Sequence, residues 1–99
     1  MLNILKTIED ATAVVALSGR LDTNTAPELE TSLAEILPEI QELTLDFSEL
    51  DYISSAGLRV LLRCHKLMAG KGGMKLIHVS PMIMGILDMT GFSDLLTIE

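Results

Sequence analysis

The 99-residue sequence has no Trp, one Tyr and two Phe, so its core must be built from Leu, Ile, Val, Ala and Met. It has one cysteine, Cys64, which excludes an intramolecular disulfide. Set among Leu61, Leu62 and Leu67 in a helical pattern, that thiol reads as a small buried hydrophobe. No apolar run approaches the ~18 residues of a membrane helix. The N-terminus meets Lys6 and then Glu9-Asp10 where a signal peptide would continue its apolar stretch. A soluble, cytoplasmic protein with no membrane insertion is expected. Basic residues are scarce as well: 7 Lys plus Arg stand against 14 Asp plus Glu, a formal net charge of −7. That balance argues against nonspecific nucleic-acid binding and against an anionic membrane surface, leaving a protein partner as the expectation. The length suits one domain, residues 1–99, and no repeat or linker interrupts it.

Catalytic and metal constellations are missing too. His65 falls within an apolar helical stretch and His78 within a strand pattern, neither with Cys or carboxylate at ligand spacing, so no metal is expected. Gly70-Lys71-Gly72-Gly73 precedes a strand and lacks the Gly-Lys-Ser/Thr ending of a phosphate loop, which removes nucleotide hydrolysis. No nucleophile, base and orienting acid can be assembled. Neither a cofactor nor an enzymatic activity is expected.

What is present is an alternation of short strands and amphipathic helices. Residues 2 to 8 and 11 to 18 read as strands joined across Glu9-Asp10 as a hairpin. Gly19-Arg20-Leu21-Asp22-Thr23-Asn24 breaks the pattern, and Thr25-Ala26-Pro27-Glu28 fits a capping box with Thr25 as N-cap and Glu28 reaching back. A helix to about Leu37 follows, with Leu29, Leu33, Ile36 and Leu37 inward. Leu43 to Phe47 is a short strand, with Asp46 and Asp51 in turns at its end. A helix opened by Ser54-Ser55 carries Leu58, Leu61, Leu62 and His65 on one face and Val60, Cys64 and Leu67 on the next. Met74 to Val79 is a strand. Ser80-Pro81 starts a third helix that Gly91 ends, with Ile83, Ile86 and Leu87 inward and Met82, Met84 and Met89 as core filling. Leu95 to Ile98 is a last strand. Strand-helix-strand repeats require parallel pairing with right-handed crossovers, so the expected fold is a small α/β sheet with helices mainly on one face.

The most informative stretch is Asp46 to Leu58, where the strand pattern ends and Ser54 and Ser55 open an apolar helix. Serine there can cap. The free N–H groups and the helix dipole also favour a phosphate, so a serine at this end can be modified without unfolding the helix. Arg59, Arg63 and Lys66 continue a stripe from Ser55, either a solvated face or a basic ridge able to pair with that phosphate.

Asp51 to Leu62, together with Gly19-Arg20-Leu21-Asp22-Thr23 upstream, resembles the signature of STAS domains, in particular the bacterial anti-sigma factor antagonists. The resemblance covers essentially the whole chain and implies a STAS-like mixed β-sheet. Registered on Gly57-Leu58, it implies Ser55 as phosphoacceptor, with Ser54 as second choice where many members carry Asp. It implies a partner-binding surface around Asp22, Thr23, Asn24, Ser54, Ala56, Gly57 and Arg59. The function it implies is partner switching: the unphosphorylated form binds a serine-kinase anti-sigma factor, phosphorylation releases it, and a PP2C-type phosphatase resets it. The alternative is a constitutive STAS subunit of a lipid ABC transporter or of a stress-sensing scaffold.

Overall fold

A computed structural model describes residues 1–99. Strands β1 (Leu2–Glu9) and β2 (Thr12–Leu21) form an antiparallel hairpin. Helix α1 (Ala26–Ile36) continues into a 3-10 turn over Leu37–Glu39 and leads to β3 (Glu42–Ile53). Helix α2 (Ser55–Met68), β4 (Met74–Ile77), α3 (Pro81–Thr90), the one-turn α4 (Phe92–Leu95) and β5 (Thr97–Ile98) complete the chain. The sheet order is β1-β2-β3-β4-β5, and every pair after the hairpin is parallel. Right-handed crossovers that all step the same way deposit their helices on one face. The architecture is the mixed α/β sheet expected.

Alternation in the central strands supplies the core. Ala13, Val15 and Leu17 of β2 and Leu43, Leu45 and Phe47 of β3 are buried beneath Leu29 and Leu33 of α1, Leu61 and Met68 of α2, and Ile83 and Leu87 of α3. Each fully buried Leu or Phe contributes about 1.5–3 kcal/mol through removal from water. The opposite sheet face carries Leu5, Val14, Ala16, Asp46 and Lys75.

The central strands are longer than the sequence pattern suggests. β2 runs through the Gly19-Arg20-Leu21 segment expected to break it, and β3 continues from Phe47 to Ile53. Register shifts at Ala16/Ser18 and Gly19/Arg20 absorb extra residues of β3 and restore pairing at Arg20↔Tyr52 and Leu21↔Ile53. Gly19 adopts φ +99°, and a side chain there would collide with the Met1 carbonyl. β4, by contrast, is shorter than expected, because His78 takes a left-handed φ of 57° and leaves the strand. β5 holds only Thr97–Ile98, since Phe92–Leu95 winds into α4. Leu67, Met82 and Met89 are exposed, so they do not fill the core.

Asp46 and Asp51 lie within β3 instead of in a turn after it. Asp46 accepts the Ser48 N–H at 3.0 Å and meets His78 Nδ1 at 3.0 Å. Partial burial pushes the Asp46 carboxyl up, but the hydrogen bonds from His78 and Ser48 outweigh it and hold the group below its ordinary value. A carboxylate depressed in the folded state stabilises above its unfolded pKa of about 3.9 and loses that contribution as pH falls through the lower folded value. Asp46→Asn is therefore expected to lower stability at pH 7 by up to about 1 kcal/mol. Denaturant titrations of both proteins should converge as pH falls through the lowered folded value of Asp46.

Candidate functional site

The C-terminal ends of the parallel strands gather the loops that start α1 and α2. The Ser54 N–H donates to the Leu21 carbonyl at 2.9 Å, tying the entry of α2 to the last residue of β2. Ser54 is extended (φ −101°, ψ 175°) and its hydroxyl accepts from the Gly57 N–H at 3.5 Å, so Ser54 is the N-cap. Ser55 occupies the first helical position and is exposed, and its hydroxyl has no hydrogen-bond partner within the chain. No acidic side chain stands in the first turn of α2. Unused N–H groups and the positive dipole end therefore face solvent beside a free hydroxyl.

The loop from β2 into α1 is knotted around Thr25. Its hydroxyl donates to the Arg20 carbonyl at 2.7 Å and accepts from the Asp22 N–H at 2.9 Å. The capping box expected at Thr25 does not form: Thr25 is the N-cap by position, but its side chain points back into the loop and makes no capping bond. Asp22 takes over the local organisation, since its Oδ1 accepts from the N–H groups of Asn24 at 2.9 Å and Thr25 at 3.1 Å. Partial desolvation raises the Asp22 carboxyl, but those bonds, the Thr25 hydroxyl and the Arg20 charge prevail and lower it. Arg20 lies 3.8 Å from the second Asp22 oxygen and stacks 4.4 Å from the Tyr52 ring centre. Reasoning from the sequence missed Arg20 and Tyr52. Both sit within quoted motifs, but their contact depends on the shifted pairing of β2 with β3.

Thr23 and Asn24 are exposed at the tip of this loop. A hollow of about 170 Å³ between α1 and α2 joins Thr23, Ala26 and Pro27 to Ala56 and Arg59. Arg63 lines it too and pairs with Glu30. Arg59 has no carboxylate within 4.0 Å, which leaves its guanidinium available one turn beyond Ser55. Gly57 faces inward, where an added Cβ would sit 2.7 Å from Leu21 Cγ and 3.0 Å from Ile53 Cγ1. Its place in the motif is thus a packing requirement that lets α2 begin close to the strand ends. The two histidines lie elsewhere: His65 lines a separate hollow with Glu42 and Glu99, and His78 is engaged with Asp46.

Two substitutions test this construction. Thr25→Val strands the Arg20 carbonyl and the Asp22 N–H and should cost about 1–3 kcal/mol in chemical denaturation, with Thr25→Ser recovering most of it. Gly57→Ala forces α2 away from Leu21 and Ile53 and should lower stability by about 1–3 kcal/mol, read by thermal melts.

Comparison with known proteins matches this arrangement to one family. The model described as "Mlab, STAS domain" matches residues 4–97. The anti-sigma F factor antagonist of Paenibacillus polymyxa is 32% identical over 88 residues, covering 86% of this chain and 75% of the relative. The crystal structure of an anti-sigma factor antagonist from Mycobacterium paratuberculosis superposes with a TM-score of 0.90 at 23% identity, over 99% of this chain and 85% of that one. The Bacillus cell fate determinant SpoIIAA in its phosphorylated form gives a TM-score of 0.75 at 16% identity, over 100% of this chain and 91% of that one. With its sheet order, its Gly-Arg-Leu-Asp loop and its serine-opened α2, the chain belongs to the STAS domain family, among the anti-sigma factor antagonists.

Proposed function

We propose that this chain is a partner-switching antagonist whose acceptor is Ser55. The observation that carries the reading is the division of labour between the paired serines: Ser54 caps the helix, and Ser55 leaves its hydroxyl free at the exposed N-terminus of α2. A phosphate there adds roughly −1.5 to −2 charges and three acceptor oxygens to a site already lined with N–H donors. Arg59, one turn on and without a carboxylate partner, pairs with it through charge-assisted hydrogen bonds. The modified domain keeps its fold, while the surface offered to a partner changes from a small neutral hydroxyl to a bulky dianion.

The partner in this reading is a serine-kinase anti-sigma factor, which binds the unphosphorylated form across Thr23, Asn24, Ser54, Ser55, Ala56 and Arg59. Asp22 holds the Thr23-Asn24 loop in shape, as Gly57 holds α2. The kinase supplies nucleotide, metal and chemistry, and a PP2C-type phosphatase resets the serine. Consistent with a modifiable serine in this fold, SpoIIAA has been solved in a phosphorylated form. The naming of the P. polymyxa relative as an anti-sigma factor antagonist favours this reading over a constitutive transporter or scaffold subunit, which needs no free acceptor.

Intact mass spectrometry after incubation with ATP and the kinase encoded beside the gene tests the assignment. One added phosphate is expected on the wild type and on Ser54→Ala, and none on Ser55→Ala. Phosphorylation should weaken binding to the kinase more than a hundredfold, equivalent to about 3 kcal/mol. A wild-type protein left unmodified by an active cognate kinase would move the assignment to the constitutive subunit.

A further inference from the structure

The two edges of the sheet differ in how they are protected. β5 is two residues long and is flanked by the Lys75–Glu99 ion pair at 3.4 Å. β1 is eight residues long, unbroken by proline or bulge, and borders no other strand on its outer side. Long, regular edges of this kind are templates for strand pairing, and proteins that stay monomeric interrupt or charge them.

The direction of each β1 backbone group follows from the hairpin. The Met1 carbonyl accepts from the Arg20 N–H at 3.2 Å, and the register runs without slip from Leu2↔Gly19 to Glu9↔Thr12. In an antiparallel ladder, a residue's N–H and C=O point the same way and alternate along the strand. Asn3, Leu5, Thr7 and Glu9 therefore bond to β2, while Leu2, Ile4, Lys6 and Ile8 direct theirs off the sheet. No turn, loop or cap hydrogen bond reaches those four.

From this edge we infer a symmetric dimer in which β1 pairs antiparallel with β1 of a second copy about a two-fold axis at Leu5. An axis normal to the sheet keeps each face on its own side, so the open-face residues Asn3, Leu5 and Thr7 must oppose one another. Centring on Leu5 sets Leu5 against Leu5 of the second copy, Ile4 against Lys6, and Leu2 against Ile8. Among symmetric registers, this one uses all four outward residues in both copies. The Leu5 pair falls at a non-hydrogen-bonded position, where side chains come closest. Leu5 is 68% exposed and Ile8 47%, and the pairing covers both. A register centred on Lys6 would instead place like charges face to face.

Charge permits the contact despite the net −7 of the chain. Lys6 is the only charged side chain between Leu2 and Ile8, and Glu35 of its own α1 neutralises it at 3.0 Å. The area is modest. An eight-residue edge spans about 27 Å. Pairing two such edges buries on the order of 1,000 Å², the lower limit for a specific interface, so the dimer forms with rising concentration and is not obligate. Ser55 lies at the end of β3, two strands from this edge, and stays open in both copies.

Sedimentation velocity over roughly 10 μM to 1 mM should show a monomer converting to a dimer, the behaviour of a small interface. Lys6→Pro deletes an outward N–H without touching the β1–β2 ladder, a placement an edge strand accepts. It should weaken association at least tenfold, whereas Lys6→Ala, which keeps the N–H, should not. Circular dichroism reports whether Lys6→Pro stays folded. Independently of that variant, Leu5→Cys should give a disulfide-linked dimer on mild oxidation, because its Cα separation suits the bond, and Thr7→Cys should not. Buried Cys64 offers no competing thiol. A monomer at every concentration, a folded Lys6→Pro that dimerises like Lys6→Ala, or equal cross-linking through Leu5→Cys and Thr7→Cys would overturn the inference.

Discussion

The parallel pairing of β2 with β3, closed by the 2.9 Å hydrogen bond from the Ser54 N–H to the Leu21 carbonyl, is the constraint on which the candidate site depends. It brings Leu21 and Ile53, 32 residues apart in sequence, to the same height on the sheet. Leu21 and Ile53 then form the floor against which Gly57 packs. Because glycine leaves only van der Waals room there, α2 begins close to the strand ends, and its first N–H groups lie beside the Thr23-Asn24 loop. The same register places Arg20 over Tyr52 and next to Asp22, so the loop is held from both sides. Packing of a few apolar atoms thus positions polar groups that never enter the core.

The switch proposed at Ser55 needs little conformational change. The cap on α2 is made by Ser54, so charge placed on Ser55 does not remove the bond that starts the helix. The dipole and the unpaired N–H groups favour an anion at this end, and Arg59 offers a counter-charge one turn away. On the proposed reading, the modification acts on the surface a partner meets, not on the stability of the domain beneath it. Asp22, with one oxygen committed to backbone donors and the other near Arg20, ties the Thr23-Asn24 loop together.

The sheet arranges its exposed parts in an orderly way. Helices occupy one face, the serine end occupies the C-terminal rim of the parallel strands, and the long hairpin strand forms the free edge. Ser55 follows β3, two strands from the β1 edge, while the Thr23-Asn24 part of the rim follows β2, the strand next to that edge. The exposed Met82 and Met89 of α3 belong to neither region.

The alternation of strands and helices up to α3, the buried face of α1, much of that of α2, and the serine pair at the head of α2 were legible in the sequence because they rest on local periods and local chemistry. A helix shows its period of 3.6 and a strand its period of 2 without reference to other segments. The capping role of Ser54 follows from its place before an apolar run. What only the tertiary structure decided depends on partners distant in the chain. β2 and β3 extend through residues that read as turns, since the hydrogen bonds that hold them there come from each other across register shifts no single strand encodes. Thr25 abandons the capping box because the Arg20 carbonyl and the Asp22 N–H are both within reach of its hydroxyl in the folded loop. Asp46 becomes a mid-strand group paired with His78 because β4 lies beside β3. Local chemistry named the candidates; long-range pairing decided which of their polar atoms were spent on the fold and which, like the Ser55 hydroxyl, were left free.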